Sequence, residues 1–383
     1  MKIEPKNRFP IDADKKNICG RLSFANPKSA LIPDLYQEFV IGSIETEVGR
    51  IPMVSAELQF RDRTGSMKAR WGIGRMHYLI EPGLYALGMP ESHSPVLVTA
   101  NYKMSFDFLR ASLQGRNVWV LVLDTKGVNV WCAAGKGTFG TEELVSRIES
   151  SGVKRIVTHR ELILPQLGAP GVSAHQVRRL TGFQVHYGPI LAGDIQKYLD
   201  SGMKASPDMR IKTFKLRERM VLIPIELIGA LKYFLMAVPF LLLVSGIGGR
   251  EEFVANILMC GPFALIAFTC AIFGGAVLHP VLLPWIPGRA FSLKGMVIGL
   301  PIAIGLLLIR GSELWSSWGG RLEAVAWAMI LPAVTAFLAM NFTGCSTYTS
   351  LSGVRREMRW ALPLEIGFFC LGMIFWIGSR LAS

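Results

Sequence analysis

Apolar residues are distributed along this chain in two ways, and the change falls near Met220. Before it, short apolar runs alternate with mixed amphipathic stretches. After it, apolar positions fuse into five long blocks, approximately 221–244, 253–278, 295–309, 324–342 and 361–378. A helix needs roughly 17–25 apolar residues to cross a bilayer. The third block reaches that length when extended back to Phe291. The pattern predicts an all-α transmembrane domain of five helices over 220–383.

The first half reads differently. Residues 1–45 show little periodicity and are expected to form an arm. From Ile51 the pattern turns strand-like, in Met53–Phe60, then Leu84–Gly88, then Pro95–Tyr102. A helix is predicted at about 105–114, followed by the unbroken apolar run Val118–Leu123 and a short apolar segment, Val128–Ala134. Another helix begins near Thr141, with Glu142 and Glu143 in its first turn, where the helix dipole favours acids. Its apolar face is Leu144, Val145 and Ile148. A strand at Arg155–His159, a helix at about 172–181, a strand at Gln184–Tyr187 and a helix at about 191–201 complete the half. Strands alternating with helices at this spacing predict an α/β domain over 46–205, with a Rossmann-like, mostly parallel sheet. Ligands in such folds sit in loops at the carboxyl ends of strands, which directs attention to the loop after Leu123.

Composition sharpens the division. The 383 residues are 51% hydrophobic, and mean hydropathy is +0.37, too apolar for an ordinary soluble protein. The formal charge is +13, most of it before Met220. The only dense basic cluster is Arg210, Lys212, Lys215, Arg217 and Arg219, in a linker over 206–219 directly before the first apolar block. Its position favours a juxtamembrane segment facing anionic lipid over a nucleic-acid surface. Arg289 and Lys294, then Arg355, Arg356 and Arg359, recur on alternate sides of the apolar blocks. The positive-inside rule therefore puts the first half in the cytoplasm and Ser383 outside. The polar N-terminus reads as no signal peptide. Glu226, Lys232 and Glu365 fall in or near the apolar blocks. Such residues mark an ion or substrate path, or else snorkel or pair with a neighbour.

Cys19, Cys132, Cys260, Cys270, Cys345 and Cys370 form no CxxC pair and no disulfide framework, which fits a reducing compartment for the first half. A lone cysteine is usually a small apolar filler. Cys132 differs in its neighbourhood, Asp124–Gly140. A phosphate loop fails there, because Gly137 follows Lys136 where Ser or Thr is required and Val130 stands where the leading glycine belongs. Gly135, Gly137 and Gly140 spell G-x-G-x-x-G ahead of a helix, with Glu161 about where a ribose-binding acid would lie. They fall in mid-domain rather than at the first strand. A third reading takes the thiol as a soft metal ligand, flanked by Trp131 and by small residues that let a backbone approach a large flat ring.

The segment Asn129-Val130-Trp131-Cys132-Ala133-Ala134-Gly135-Lys136 resembles the signature of the mercury-methylation corrinoid protein family at every position. Val98–Tyr102, Leu162–Pro165 and Tyr187–Pro189 also resemble the corrinoid-binding domain of the large subunit of the corrinoid iron–sulfur protein. That subunit lacks the cysteine and the membrane half. The resemblance implies a cytoplasmic corrinoid-binding domain followed by five spans. It implies a cobalamin-type cofactor held base-off on a cap helix, with the Cys132 thiolate as lower axial ligand of cobalt and the catalytic group. Asn129, Val130, Trp131, Ala133, Ala134, Gly135 and Lys136 would shape the lower pocket, and Thr99 and Asn101 would approach the ring from another loop. The implied reaction is transfer of a methyl group to Hg(II), as a carbanion or radical equivalent, giving methylmercury. A thiolate trans to the methyl group would donate the electron density that this transfer needs. The implied partners are a ferredoxin-like iron–sulfur protein as reductant and a methyl-donating folate pathway. This chain has no cysteine cluster for an iron–sulfur centre of its own.

The better-known corrinoid signature D-x-H-x-x-G is absent: none of His77, His93, His159, His175, His186 or His279 stands in it. Three alternatives stay open: a corrinoid methyl carrier for another acceptor, an NAD(P)-dependent membrane oxidoreductase built on the glycine motif, and a transporter in which the first half is a sensor.

Overall fold

The computed structural model of the chain describes residues 32–248, 252–345 and 351–382. The expected N-terminal arm lies largely outside them, as does Cys19. By internal contacts the chain divides into two units. The first comprises 1–57, 79–188 and 195–203; the second comprises 58–78, 189–194 and 204–383. Neither is continuous in sequence.

The first unit is built on one seven-stranded sheet: β1 (Val40–Thr46), β2 (Gly49–Val54), β3 (Gly83–Leu87), β4 (Val96–Ala100), β5 (Val118–Leu123), β6 (Glu161–Leu164) and β7 (Gln184–Tyr187). Their spatial order is β1-β2-β3-β5-β4-β6-β7. The pairs β2–β3, β4–β5, β4–β6 and β6–β7 are parallel, and β1–β2 and β3–β5 are antiparallel. The α/β expectation of a mostly parallel sheet therefore holds. Strands β3, β4 and β5 are buried at every residue, as strands covered on both faces must be.

Three local expectations are corrected. Val40–Thr46, assigned mostly to the arm, is an edge strand. Its sequence pattern is weak: Ile41 points outward and Gly42 has no side chain to pack. Arg155–His159 is not a strand. Val153–Ile156 forms a helical turn and the strand begins at Glu161. Val153, Ile156 and Val157 repeat at three and four residues, which is helical spacing.

Helices α1 (Phe60–Arg70), α2 (Lys103–Ala111), α3 (Val130–Lys136), α4 (Thr141–Ser151), α5 (Ala174–Thr181) and α6 (Ile195–Asp200) follow in chain order. The segment Ala56–Phe60, read as strand, instead leads into α1, which belongs to the second unit. In the first unit, α2 packs on β4, α4 on β5 and α5 on β7. Leu144, Val145 and Ile148 of α4 are buried as their spacing predicts, and Phe106 of α2 is core.

Among the described residues the second unit holds five helices long and apolar enough to cross a membrane: α7 (Ile223–Gly246), α8 (Phe253–Phe273), α9 (Phe291–Arg310), α10 (Trp318–Asn341) and α11 (Leu351–Leu381). The third starts at Phe291, where the apolar block had to be extended. Among these helices α10 is the most buried and the stretch that contains α7 the least, so α10 is the centre of the bundle. Gly295 and Gly299 of α9 let its backbone meet α10: a Cβ at either would lie 2.5–2.7 Å from the Cα of Ala336 or Pro332. Glu323 of α10 is buried between Arg310 (3.2 Å) and Arg380 (3.0 Å), so its charge is paired from two helices.

Candidate functional site

Parallel strands β4, β5, β6 and β7 end on the same edge of the sheet, and α3 lies in the connection that leaves β5. The apolar segment Val128–Ala134 thus becomes a short helix, for local reasons. Asn129 takes the N-cap, its side-chain oxygen accepting the Cys132 N–H at 3.0 Å. Gly137 ends the helix at φ +83°, in the left-handed region that favours glycine. Two turns of helix would not persist alone. Burial holds this one: Ala133 and Ala134 lie in the core of the first unit, and Val128 and Val130 pack partly against it.

The opposite face is open. Trp131 is 39% exposed, Cys132 and Lys136 are exposed, and a Cβ on Gly135 would meet nothing within 4 Å. No hydrogen bond engages the Cys132 thiol among the described residues. The eight motif residues therefore divide. Trp131, Cys132, Gly135 and Lys136 form an outward surface, Ala133 and Ala134 anchor it from beneath, and Asn129 and Val130 sit at its start.

The smallness of the two alanines has a partner that sequence reasoning missed. Gly171, after the turn Gln166–Gly168, packs directly beneath α3: a Cβ there would lie 2.1 Å from the Phe139 carbonyl oxygen and 3.1 Å from the Ala134 Cα. Gly168 gives the buried Phe139 ring similar room. Tyr187, at the end of β7, donates its hydroxyl to the Val172 carbonyl at 2.8 Å and ties this segment to the sheet. Burial raises the pKa of that phenol, so it remains a donor.

Thr99 and Asn101 do not reach the outward surface. Thr99 is in mid-strand on β4, opposite Val122, and buried. Asn101 is 3% exposed and works as a clasp. Its Oδ1 accepts the N–H groups of Thr125 and Gly127, each at 3.0 Å, and its Nδ2 donates to Asp124 at 3.2 Å. The Thr125 hydroxyl lies 2.9 Å from Asn101 Oδ1 and 2.6 Å from the Val128 carbonyl, and has one proton for the two. Glu143 of α4 accepts the Asp124 N–H at 2.8 Å. Burial alone would raise the Asp124 pKa, but hydrogen bonds from the Lys126 side chain and backbone outweigh it and hold the carboxyl below its ordinary range. Only the Asp-x-x-Gly spacing of Asp124 and Gly127, a turn signal, could have pointed to this clasp from sequence.

Replacing Asn101 by Ala is expected to lower stability by about 2–3 kcal/mol, because it strands buried amide donors of the 124–128 loop. Amide hydrogen exchange at Thr125 and Gly127 should then accelerate well beyond that of β5; unchanged protection would refute the clasp.

The glycine motif does not form a dinucleotide turn. Such a turn joins a strand directly to a helix. Here Gly135 lies within α3, Gly137 ends it and Gly140 caps α4.

Residues 75–199 match the family described as CO dehydrogenase/acetyl-CoA synthase delta subunit. That stretch contains β3 to β7, the clasp and α3. Among curated proteins, the acetyl-CoA decarbonylase/synthase complex subunit gamma of Methanopyrus kandleri is 32% identical over 123 residues, which is 32% of this chain and 26% of that protein. Its Methanocaldococcus jannaschii counterpart is 38% identical over 92 residues, 24% of this chain and 19% of that protein. In Archaeoglobus fulgidus the figure is 31% over 123 residues, again 32% and 26%. The chain spans about a quarter or less of the length of these relatives. The family match ends at residue 199, ahead of the membrane-length helices.

Proposed function

We propose that the first unit holds a corrinoid, base-off, against the outer face of α3, and that the chain transfers a methyl group to inorganic Hg(II), yielding methylmercury. The observation that carries this reading is the Cys132 thiol, exposed and unengaged on a helix fixed from below. Its motif, Asn129 to Lys136, resembles the mercury-methylation signature, and the surrounding α/β stretch is similar to acetyl-CoA synthase-type subunits.

The residues fit such a group. A flat macrocycle needs a surface without protruding side chains beside its ligand, and Gly135 offers bare backbone about one helical turn from Cys132. Trp131 contributes an exposed aromatic face. A bound corrinoid supplies a cobalt centre that accepts and releases methyl groups. The chain supplies the sulfur donor, its orientation and a rigid base. Asn129 holds the first turn through the Cys132 amide, while Ala133, Ala134 and Gly171 fix the height of the helix. Asn101 acts from beneath, through the loop that delivers α3. Cys132 must lose its proton to coordinate, so binding is expected to release a proton and to weaken as the medium becomes acidic.

The five helices support a multi-pass location, with the first unit on the cytoplasmic side and the basic segment 206–219 against anionic lipid. The similar proteins are by name subunits of a complex. That favours a protein partner here too, for which a ferredoxin-like iron–sulfur protein would serve as reductant, with methyl groups drawn from a folate pathway. The same names favour a second reading, a methyl carrier for another acceptor. Cells carrying or lacking the gene, given inorganic mercury without oxygen, separate the two. Methylmercury only in the carriers supports the first reading, and none in either overturns it.

The ligand itself is tested on corrinoid-loaded protein. Wild type is expected to show low-energy visible absorption from sulfur bound to cobalt, absent in Cys132→Ala, and to lose it on acidification. Superimposable spectra would exclude the thiolate.

A further inference from the structure

The membrane-type unit contains a cavity of about 730 Å³ that the methyl-transfer reading does not use. The first half of α7, the end of α8, the end of α10 and the middle of α11 line it. Its volume lies in the range of sites for small organic ligands. The lining is mostly apolar, and every one of the four helices gives a ring: Tyr233 and Phe234, Phe268, Phe337 and Phe369. The Phe234 and Phe268 rings are roughly parallel, with centroids 6.4 Å apart.

Two carboxylates and one amide, Glu226, Glu365 and Asn341, interrupt this apolar wall. Glu365 is 7% exposed, and neither of its oxygens has a hydrogen-bond partner among the described residues. The charged neighbour that acts on it is another carboxylate, Glu357, which is itself occupied by the Ser292 N–H. Glu226 has Arg75 within electrostatic reach. Lys232, the third ionisable residue of the apolar blocks, is exposed on α7 and does not line the cavity. An acid buried without a counter-charge is costly, and within a bilayer it marks a place where something else completes the pairing.

We infer that this cavity binds an organic cation with an apolar body, its charge drawn towards Glu365, whose covered carboxylate lies in the wall, and its substituents lying among the five rings. Aromatic walls attract a poorly hydrated cation through their negative faces, and the carboxylate supplies the full opposite charge. A hard metal ion would find one unpaired acid and apolar walls, and no metal-holding group of His, Cys, Asp and Glu occurs among the described residues. A mercury species would find no sulfur, since neither Cys nor Met lines the cavity among the described residues. Two sources share the inferred chemistry: a free lipophilic cation and the ammonium headgroup of a membrane lipid.

The test uses the full chain in an uncharged maltoside micelle and radiolabelled tetraphenylphosphonium as probe, with protein-free micelles subtracted. Saturable one-site binding is expected, displaced by unlabelled cation and not by neutral triphenylphosphine oxide. Glu365→Gln should weaken it at least about tenfold. Ala237→Trp, which fills the cavity and keeps the acid, should abolish it, and this second variant decides the matter if Glu365→Gln fails to fold. Mass spectrometry of co-purified lipid separates the sources. An ammonium-headed lipid released by the probe assigns the site to lipid, and no such release assigns it to a free cation. Absence of saturable binding, equal binding by a folded Glu365→Gln chain, or equal displacement by the neutral oxide would each overturn the inference. None of these readouts involves corrinoid or mercury, so failure here leaves the methyl-transfer reading untouched.

Discussion

Replacing Cys132 by Ala is expected to reduce methylmercury formation below detection, while thermal unfolding shifts by no more than about 2 °C. The two halves of this expectation rest on different facts. The thiol is exposed and takes no hydrogen bond among the described residues, so its loss removes no packing and strands no partner. Its amide, which Asn129 accepts, is unchanged in the variant, and Ala is the better helix former. The chemical loss is total in the proposed reading because nothing nearby can replace the donor. Neither Trp131 nor Lys136 is a soft ligand, and none of the six histidines lies in the motif. Cys132→His is the stricter variant. It restores a donor, but a neutral nitrogen with a different reach, and methylation should stay at or near background. Near-normal methylation by a folded Cys132→Ala chain would remove the axial-ligand role while leaving corrinoid binding to be judged by its own spectrum.

Much of the fold was legible because its signals are local. Val118–Leu123 is an unbroken apolar run, which marks a central strand, and the five long blocks need no tertiary context to be read as membrane-length helices. Errors arose where a local pattern was ambiguous. Val153, Ile156 and Val157 suit a helical turn as well as a strand, and Val40–Thr46 alternates so weakly that it resembles a loop. The site divides in the same way. Asn129 as cap, Gly137 as terminator and Cys132 as the distinctive side chain can all be found in eight or nine consecutive residues. Asn101 and Gly171 cannot, since their roles exist only once β4 lies beside β5 and the segment after β6 folds under α3. Sequence reasoning also gave Ala133, Ala134 and Gly135 one common purpose, a smooth surface for a ring. The helix turns the two alanines into the core and leaves Gly135 to face outward.

That separation of roles yields the second large effect. Gly171→Ala is expected to destabilise the first unit by about 3 kcal/mol, lowering its unfolding midpoint by roughly 6–12 °C. The added Cβ would stand 2.1 Å from the Phe139 carbonyl oxygen and 3.1 Å from the Ala134 Cα. Both are backbone atoms, so no rotamer change relieves the contact, and α3 or the 168–171 turn must move. Corrinoid binding should fall with it, because the height of the Cys132 helix is set by this contact. Gly135→Ala should do the reverse to stability. Its Cβ enters open space on a helix, where Ala is preferred to Gly by about 0.5–1 kcal/mol, so the unit should become slightly more stable. If the bare backbone at Gly135 is the surface on which the macrocycle lies, the same methyl group must nonetheless weaken corrinoid binding. The pair therefore separates a scaffold effect from a surface effect. Calorimetry and a corrinoid titration on both variants provide the check. A Gly135→Ala chain that is more stable and binds corrinoid as tightly as wild type would show that the ring does not rest on this face of α3, whatever Cys132 does.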